Sequence, residues 1–367
     1  MRLQDICEIN PRMPRIDDDT EVSFVPMTSV SEDGKIDTSD IRPYIDVKKG
    51  YTSFKEDDVL FAKITPCMEN GKGAIARGLK NGYGCGSSEF HVLRTKGQVM
   101  PEWIYYLTSW SYFRREAEKH MTGSAGQRRV PKLYLENYEI RLPELSDQEY
   151  QVQTLTHIKE VIDYRKAELV AFEELTKARF VEMFIAKDFP LLTLDEVSLS
   201  KGEYGAQSAS IRYDPSRPRY VRITDINDDG TLNNDVVSSA NKEDDEQYKL
   251  TYGDFMFARM GATVGKTYAY KSGNQIFAGY LIRYKLDLGK IMPEYLYAYT
   301  KLDEYENWVL LNQSGAAQPG INAKKYGSLK IPVPPIEVQR QFVGFCTKID
   351  KSKLLEARQA GFIAKIR

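Results

Sequence analysis

Asp58-Val59-Leu60-Phe61-Ala62-Lys63 returns as Asp254-Phe255-Met256-Phe257-Ala258-Arg259, 196 residues further along the chain. The same offset carries Met27 to Ile223 and Asp33-Gly34 to Asp229-Gly230. Later matches slip by a few residues but keep their order. Met100-Pro101-Glu102-Trp103 becomes Met292-Pro293-Glu294-Tyr295, Gly123 becomes Gly315, and Ile140, Pro143 and Gln148 become Ile331, Pro334 and Gln339. A repeat of this period sets the architecture before any single element is read. Two copies of one unit in one chain imply an internal pseudo-two-fold, which suits a ligand with a two-fold of its own, such as duplex DNA.

The chain has 367 residues, 42% of them apolar, enough for at least two cores, since single domains usually run to about 100–200 residues. Charged residues make up 28% yet cancel to a net of −1, so a nucleic-acid partner would have to be met by locally gathered cations. Cys7, Cys67, Cys85 and Cys346 show no CxxC spacing, and the only histidines are His91, His120 and His157. That pattern argues against a zinc site or a disulfide framework and fits a reducing compartment. Met1-Arg2-Leu3-Gln4-Asp5 opens no apolar signal core, and no run approaches the ~20 apolar residues of a membrane span. The expectation is a cytoplasmic protein with no membrane partner.

Short segments rich in β-branched and aromatic residues, bounded by Gly, Asp or Asn, read as strands at 21–26, 59–62, 90–93 and 220–223. Pro101 and Pro293, each followed by an acid, read as helix first turns. After Pro143, Ser146-Asp147-Gln148-Glu149 has the spacing of a capping box and predicts a helix start there. Leu155, Ile158, Ile162, Leu169 and Phe172 then hold a 3-then-4 spacing, interrupted at Arg165, with neither Gly nor Pro until Pro190. This predicts a helix of about 40 residues, near 60 Å at 1.5 Å per residue. A second helix, of 32 residues, begins after Pro334-Pro335 with Val338, Phe342, Phe345 and Ile349 on the same spacing. Each stripe is too long for its own globule to cover, so the helices are expected to pair with each other rather than act as bare connectors. Starting from equivalent corners of a two-fold-related unit, they would run antiparallel. The expected fold is α+β: two tandem globular domains of mixed α and β structure, at 1–145 and 189–335, separated by long spacer helices at 146–188 and 336–367 that form an antiparallel coiled coil.

Positive charge gathers at matching places in the two copies. Residues 121–135 hold Gln127, Arg128, Arg129 and Lys132 with no acid, and residues 314–330 hold Gln318, Asn322, Lys324, Lys325 and Lys330, again with none. Residues 257–271 carry Arg259, Lys266 and Lys271 without acid, while their counterpart around Lys63, Lys72 and Arg77 has only Glu69. Arg212, Arg217, Arg219 and Arg222 stand against the single Asp214. The acids lie in other runs, Asp17-Asp18-Asp19, Glu56-Asp57-Asp58 and Glu243-Asp244-Asp245-Glu246. Lys and Arg in Gly-rich loops can meet phosphates, and interleaved Gln, Asn, Ser and Arg are the side chains that read base edges in the major groove. One such loop alone is most simply a solvated surface. Its recurrence in both copies favours a shared ligand.

Catalytic motifs nearly appear. Gly261-Ala262-Thr263-Val264-Gly265-Lys266-Thr267 imitates a phosphate-binding loop, but three residues separate its glycines where four are needed. Gly82-Tyr83-Gly84-Cys85-Gly86 lacks the surrounding βαβ unit of a nucleotide site and reads as a hairpin turn. Asn10-Pro11-Arg12 is not the Asn/Asp-Pro-Pro-aromatic motif of an amino-methyltransferase. Asp46-Val47-Lys48, or Asp58 with Lys63, sketch a metal-dependent nuclease, yet the second copy replaces Lys63 by Arg259, a swap that a phosphate-binding cation tolerates better than a catalytic lysine. No Ser/His/Asp or Cys/His set recurs, so no catalytic residue, cofactor or metal is assigned.

The combination resembles the specificity (S) subunit of Type I restriction–modification systems, the HsdS-like family. The strings that carry the resemblance are Tyr220-Val221-Arg222-Ile223-Thr224-Asp225-Ile226 with Asp229-Gly230, Gly253 to Arg259, Ile331-Pro332-Val333-Pro334-Pro335 with Gln339, and Arg179-Phe180-Val181-Glu182-Met183-Phe184. They span essentially the whole chain. The resemblance implies two target-recognition domains, each reading half of a bipartite site in double-stranded DNA, and helices that space the halves and dock two methyltransferase subunits. It implies that adenine methylation from S-adenosylmethionine and ATP-driven cleavage belong to partner subunits, including any restriction endonuclease subunits. The candidate DNA-contacting set is then Lys63, Lys72, Gln127, Arg128, Arg129, Lys132, Arg212, Arg217, Arg259, Lys266, Gln318, Asn322, Lys324 and Lys325. The candidate coiled-coil and docking set is Leu155, Ile158, Ile162, Leu169, Phe172, Phe342, Phe345 and Ile349. Two readings compete: a self-sufficient nuclease or methylase, and a coiled-coil scaffold that binds protein only.

Overall fold

The computed structural model describes the chain except 125, 236, 242–245, 316–318 and 365–367, together with the side chains of the final helix up to 352. It divides into two compact units, Met1–Ile162 and Asp163–Arg367.

In the first unit, Val59–Ala62 is buried along its whole length and lies inside a four-stranded sheet, between Phe90–Thr95 and Gly73–Ile75, with Cys7–Ile9 at the far edge. Alternation of side chains along a strand explains the unbroken apolar run. Val59 and Phe61 enter one cluster with Leu3, Ile6, Phe113 and Leu135, while Leu60 and Ala62 enter another with Val25, Phe54 and Phe90. The second unit repeats this device: Asp254–Ala258 pairs with Leu281–Lys285 and Thr267–Ala269. Phe255 and Phe257 turn to the cluster of Phe180, Phe184, Tyr295 and Tyr326, and Met256 and Ala258 to that of Val221, Leu250 and Phe277.

A second sheet in each unit contains one parallel pair, Glu21–Val25 with Tyr83–Gly86 and Arg219–Val221 with Gln275–Phe277. Tyr83–Gly86 is thus a central strand and not the hairpin turn read from its glycines. The glycines serve close approach: a Cβ on Gly84 would stand 2.2 Å from the Phe54 ring, and one on Gly86 would stand 2.1 Å from the Val25 carbonyl. Arg219–Val221 also stops short of the expected 220–223, because Ile223–Asp225 forms a 3-10 turn closed by Asp225 accepting the Arg222 N–H.

Helices Pro101–Ser109 and Pro293–Tyr299 carry proline in the first turn, as read from sequence. The first long helix runs Leu145–Phe180 and continues into a π-helical turn, Val181–Ile185; the second runs Ile336–Ala364. The first starts two residues earlier than a cap at Ser146 requires. Ser146 therefore sits within the helix, and the Gln148 N–H donates to the Glu144 carbonyl.

Both helix starts are instead held by a repeated glutamine. Gln148 is fully buried; it accepts from the Met100 N–H at 3.1 Å and donates to the Pro143 carbonyl at 2.9 Å and the Gln98 carbonyl at 3.3 Å. Gln339 does the same with the Met292 N–H at 2.9 Å, the Pro334 carbonyl at 2.9 Å and the Lys290 carbonyl at 2.8 Å. An amide, with one acceptor and two donors, is the side chain that can satisfy all three backbone groups.

Leu155, Ile158, Ile162, Leu169 and Phe172 are half-buried, while Tyr150, Tyr164, Val170 and Leu175 are exposed. On the second helix Phe342 is fully buried in the core of its own unit, against Phe180 and Phe184 at ring separations of 5.3 and 5.4 Å. It is therefore unavailable to dock another chain. Phe345 packs beside it, and Ile349 is buried.

Candidate nucleic-acid interface

In each unit the central strand ends on a cation and runs into a loop that crosses a second loop from the far side of the sequence. In the first unit the Val130 N–H donates to the Lys63 carbonyl at 2.9 Å and the Thr65 N–H to the Arg128 carbonyl at 3.0 Å. In the second the Ile321 N–H donates to the Arg259 carbonyl at 2.9 Å and the Gly261 N–H to the Pro319 carbonyl at 2.9 Å. The two basic stretches singled out in each copy are thus brought together, by the same backbone bonds in both. The third flank is equivalent too: the Lys63 N–H donates to the Glu89 carbonyl and the Arg259 N–H to the Tyr280 carbonyl.

Side chains on this shared frame differ. In the first unit Arg129 is held by both oxygens of Glu89, at 2.9 and 2.8 Å, and Arg128 lies 3.6 and 3.5 Å from Glu69 and Glu118. Lys132 pairs with Glu136 at 3.0 Å, and Lys63 donates to the Ser88 carbonyl at 2.7 Å. Burial, reinforced by neighbouring Arg129, lowers the Lys63 pKa even though Glu89 opposes the shift. Lys72 donates to the Met27 carbonyl at 3.1 Å, and Gln127 is exposed. The loop that is acid-free in sequence is therefore ringed by carboxylates from other elements.

Among the described residues the second unit shows no such ring. The Arg259 guanidinium lies 4.9 Å from the ring centre of Tyr204 and 6.0 Å from that of Tyr280, a cation–π arrangement with two exposed tyrosines. Lys324 and Lys325 are exposed on the helix Ala323–Gly327 and make no ion pair among the described residues. Asn322 is engaged as the N-cap of that helix, its side-chain oxygen accepting the Lys325 N–H at 2.9 Å. Gln318 lies outside the described residues.

Lys266 pairs with Asp228 at 2.6 Å. Arg217 approaches Asp214 at 3.6 Å and donates to the Ala240 carbonyl, and Arg212 is exposed on the strand Ser210–Arg212. The sequence reading missed Glu89, Tyr204 and Tyr280. Their only signal was position, Glu89 and Tyr280 standing at equivalent strand entries.

The part of the metal-nuclease sketch built on Asp58 and Lys63 does not survive the geometry. Asp58 is buried, accepts both Arg94 nitrogens at 2.8 and 2.7 Å and caps the Lys55 N–H at 2.8 Å. Asp254 repeats this with the Thr251 N–H at 2.8 Å and with Arg283 at 3.6 Å. These acids close the turns that lead into the central strands. No group of three metal-ligating side chains occurs among the described residues. Nor does Gly261–Thr263 open a helix: it is one 3-10 turn leading into the strand Thr267–Ala269. Among the described residues no helix is long and apolar enough to cross a membrane.

The family model of the Type I restriction modification DNA specificity domain matches this chain twice, over residues 1–173 and 194–360. The specificity subunit of the Type I restriction enzyme EcoAI of Escherichia coli is 44% identical over 162 residues, which are 43% of this chain and 27% of that protein. The EcoEI specificity subunit of the same organism is 41% identical over 164 residues, 44% of this chain and 27% of its own length. The alignment thus spans about a quarter of these relatives. A solved chain from work on complex assembly and conformational transition of the type I R-M system superposes with a TM-score of 0.62 at 18% identity, over 100% of this chain and 94% of the other. The S subunit of a Type-I restriction-modification system from M. genitalium gives 0.56 at 13% identity, over 100% and 92%. At these identities the likeness speaks for the fold.

Proposed function

This chain belongs to the Type I restriction modification DNA specificity family, and from that premise we propose that it is the non-catalytic subunit that selects the DNA sequence for a Type I restriction–modification complex. The observation that carries this reading is the duplication: the family match falls on each half separately, and each half presents the same cation-bearing loop crossing. Each globule would read one half of a bipartite site in duplex DNA, phosphate contacts from the loop cations fixing register while polar side chains beside them reach base edges.

The two long helices would pair antiparallel and set the distance between the half-sites. The first has 36 residues, about 54 Å at 1.5 Å per residue, which caps the separation at roughly 16 base pairs of 3.4 Å. The unread spacer is shorter, because the globules themselves cover length. Two methyltransferase subunits would dock through equivalent surfaces of the duplicated chain, supplying the S-adenosylmethionine chemistry that these residues do not. Restriction subunits would join the same assembly.

The test is to co-express the chain with its methyltransferase in a host free of adenine methylation and to map modified adenines across the genome. One split motif, two short defined halves around a fixed spacer, is the expected result. A stable complex that leaves the genome unmodified would favour a scaffold, and cleavage by the isolated chain with magnesium would favour a nuclease.

A further inference from the structure

We infer, on the reading above, that the two globules hold DNA by different means: the second anchors the duplex electrostatically through Arg259, Lys324 and Lys325, whereas the matching cations of the first, Arg128, Arg129 and Lys132, are neutralised by neighbouring carboxylates. Tyr204 unites the anchor. Its ring lies under the Arg259 guanidinium, and its hydroxyl accepts the Ala323 N–H at 3.2 Å, tying the lysine-bearing helix to the arginine. Stacking restricts Arg259 without cancelling its charge, and it leaves guanidinium edges for an oxygen acceptor. The Arg259 Nε is buried and has no hydrogen-bond partner among the described residues.

In the first globule the equivalent frame is closed. Glu89 occupies the backbone place of Tyr280 and grips Arg129 with both oxygens; Glu69 and Glu118 flank Arg128, and Glu136 takes Lys132. A lone cation that meets a phosphate displaces counterions from the duplex, and the observed affinity then falls with salt by about 0.9 logarithmic units per contact. A cation already paired to a carboxylate brings no net charge to the phosphate. Arg259, Lys324 and Lys325 should therefore carry more of the salt dependence of binding than Arg128, Arg129 and Lys132 do.

The measurement is a fluorescence-anisotropy titration of the full chain in complex with its methyltransferase, on a duplex bearing the mapped motif, at several salt concentrations. The double variant Lys324→Gln/Lys325→Gln should flatten the slope of log affinity against log salt by about 2, and Arg259→Gln by about 1. Arg259→Lys should keep the slope, which separates charge from packing. Arg128→Gln/Arg129→Gln should leave it within about 0.5, and Glu89→Gln should steepen it by about 1 while tightening binding several-fold. Equal or larger losses from the first-globule pair would overturn the inference, as would an unchanged slope in the lysine variant. Reversed ranking with intact DNA binding removes this inference alone, whereas a wild-type complex that binds no duplex removes the specificity reading with it.

Discussion

His91 is held neutral by its surroundings. It is buried beside the first loop crossing, where its Nε2 meets the Val130 carbonyl at 2.8 Å and so must carry the proton. Nδ1 is then the acceptor, 3.0 Å from the Asn10 amide nitrogen. Burial, aided by nearby Lys63 and Lys132, pushes its pKa down to about 4 against the opposing Val130 bond. Between pH 6.5 and about 4 the unfolded chain takes up a proton that the native chain refuses. His91 therefore contributes fully above pH 6.5, and that contribution, on the order of 3 kcal/mol, is lost as the pH falls through this window. In urea unfolding, His91→Gln should show a shallower decline than wild type from pH 6.5 to 4.5, and parallel declines would refute the assignment. Gln148 and Gln339 make a matched pair of tests. Removing either amide strands three backbone groups that are otherwise satisfied, so each alanine variant should cost about 2–3 kcal/mol. That corresponds to a Tm lowered by roughly 5–10 °C. A shift in only one of the two would contradict the equivalence of the copies.

At the scale of elements, the stretch 58–63 and its copy 254–259 organise each globule because every residue from Val59 to Ala62, and from Phe255 to Ala258, has a core on its own side of the sheet. The second long helix is fastened by aromatic packing. Phe342 meets Phe180 and Phe184 edge-on, joining the end of one long helix to the start of the other within the second unit. Truncation to alanine should cost about 3–5 kcal/mol, seen as an earlier unfolding transition. A loss below about 1 kcal/mol would mean that this junction repacks.

For the whole molecule, the ruler reading has a numerical consequence. Deleting two turns, seven residues, from both long helices removes about 10 Å and should shorten the preferred spacer by about three base pairs without altering either half-site. An unchanged spacer in the methylation motif of the shortened protein would rule out the helices as the determinant. The asymmetry of the loop crossings belongs to this scale too: a duplicated frame does not oblige its two copies to carry the same charge.

What the sequence determined by itself was the duplication, the strand cores, the long helices and the places where basic loops recur. All of these are written in period and spacing, which depend on neighbours along the chain. It also placed Gln148 and Gln339 as equivalents, though not their role, since the Met100 and Met292 amides that they satisfy lie 48 and 47 residues away. Only the tertiary structure decided which cations stay unpaired. Residues 121–135 contain no acid, yet Glu69, Glu89 and Glu118 reach them through space. It likewise put Phe342 into a core and turned Asp58 from a metal-ligand candidate into a buried turn cap. The reason is physical: pairing and burial act over a few ångströms in space, whatever the distance along the chain.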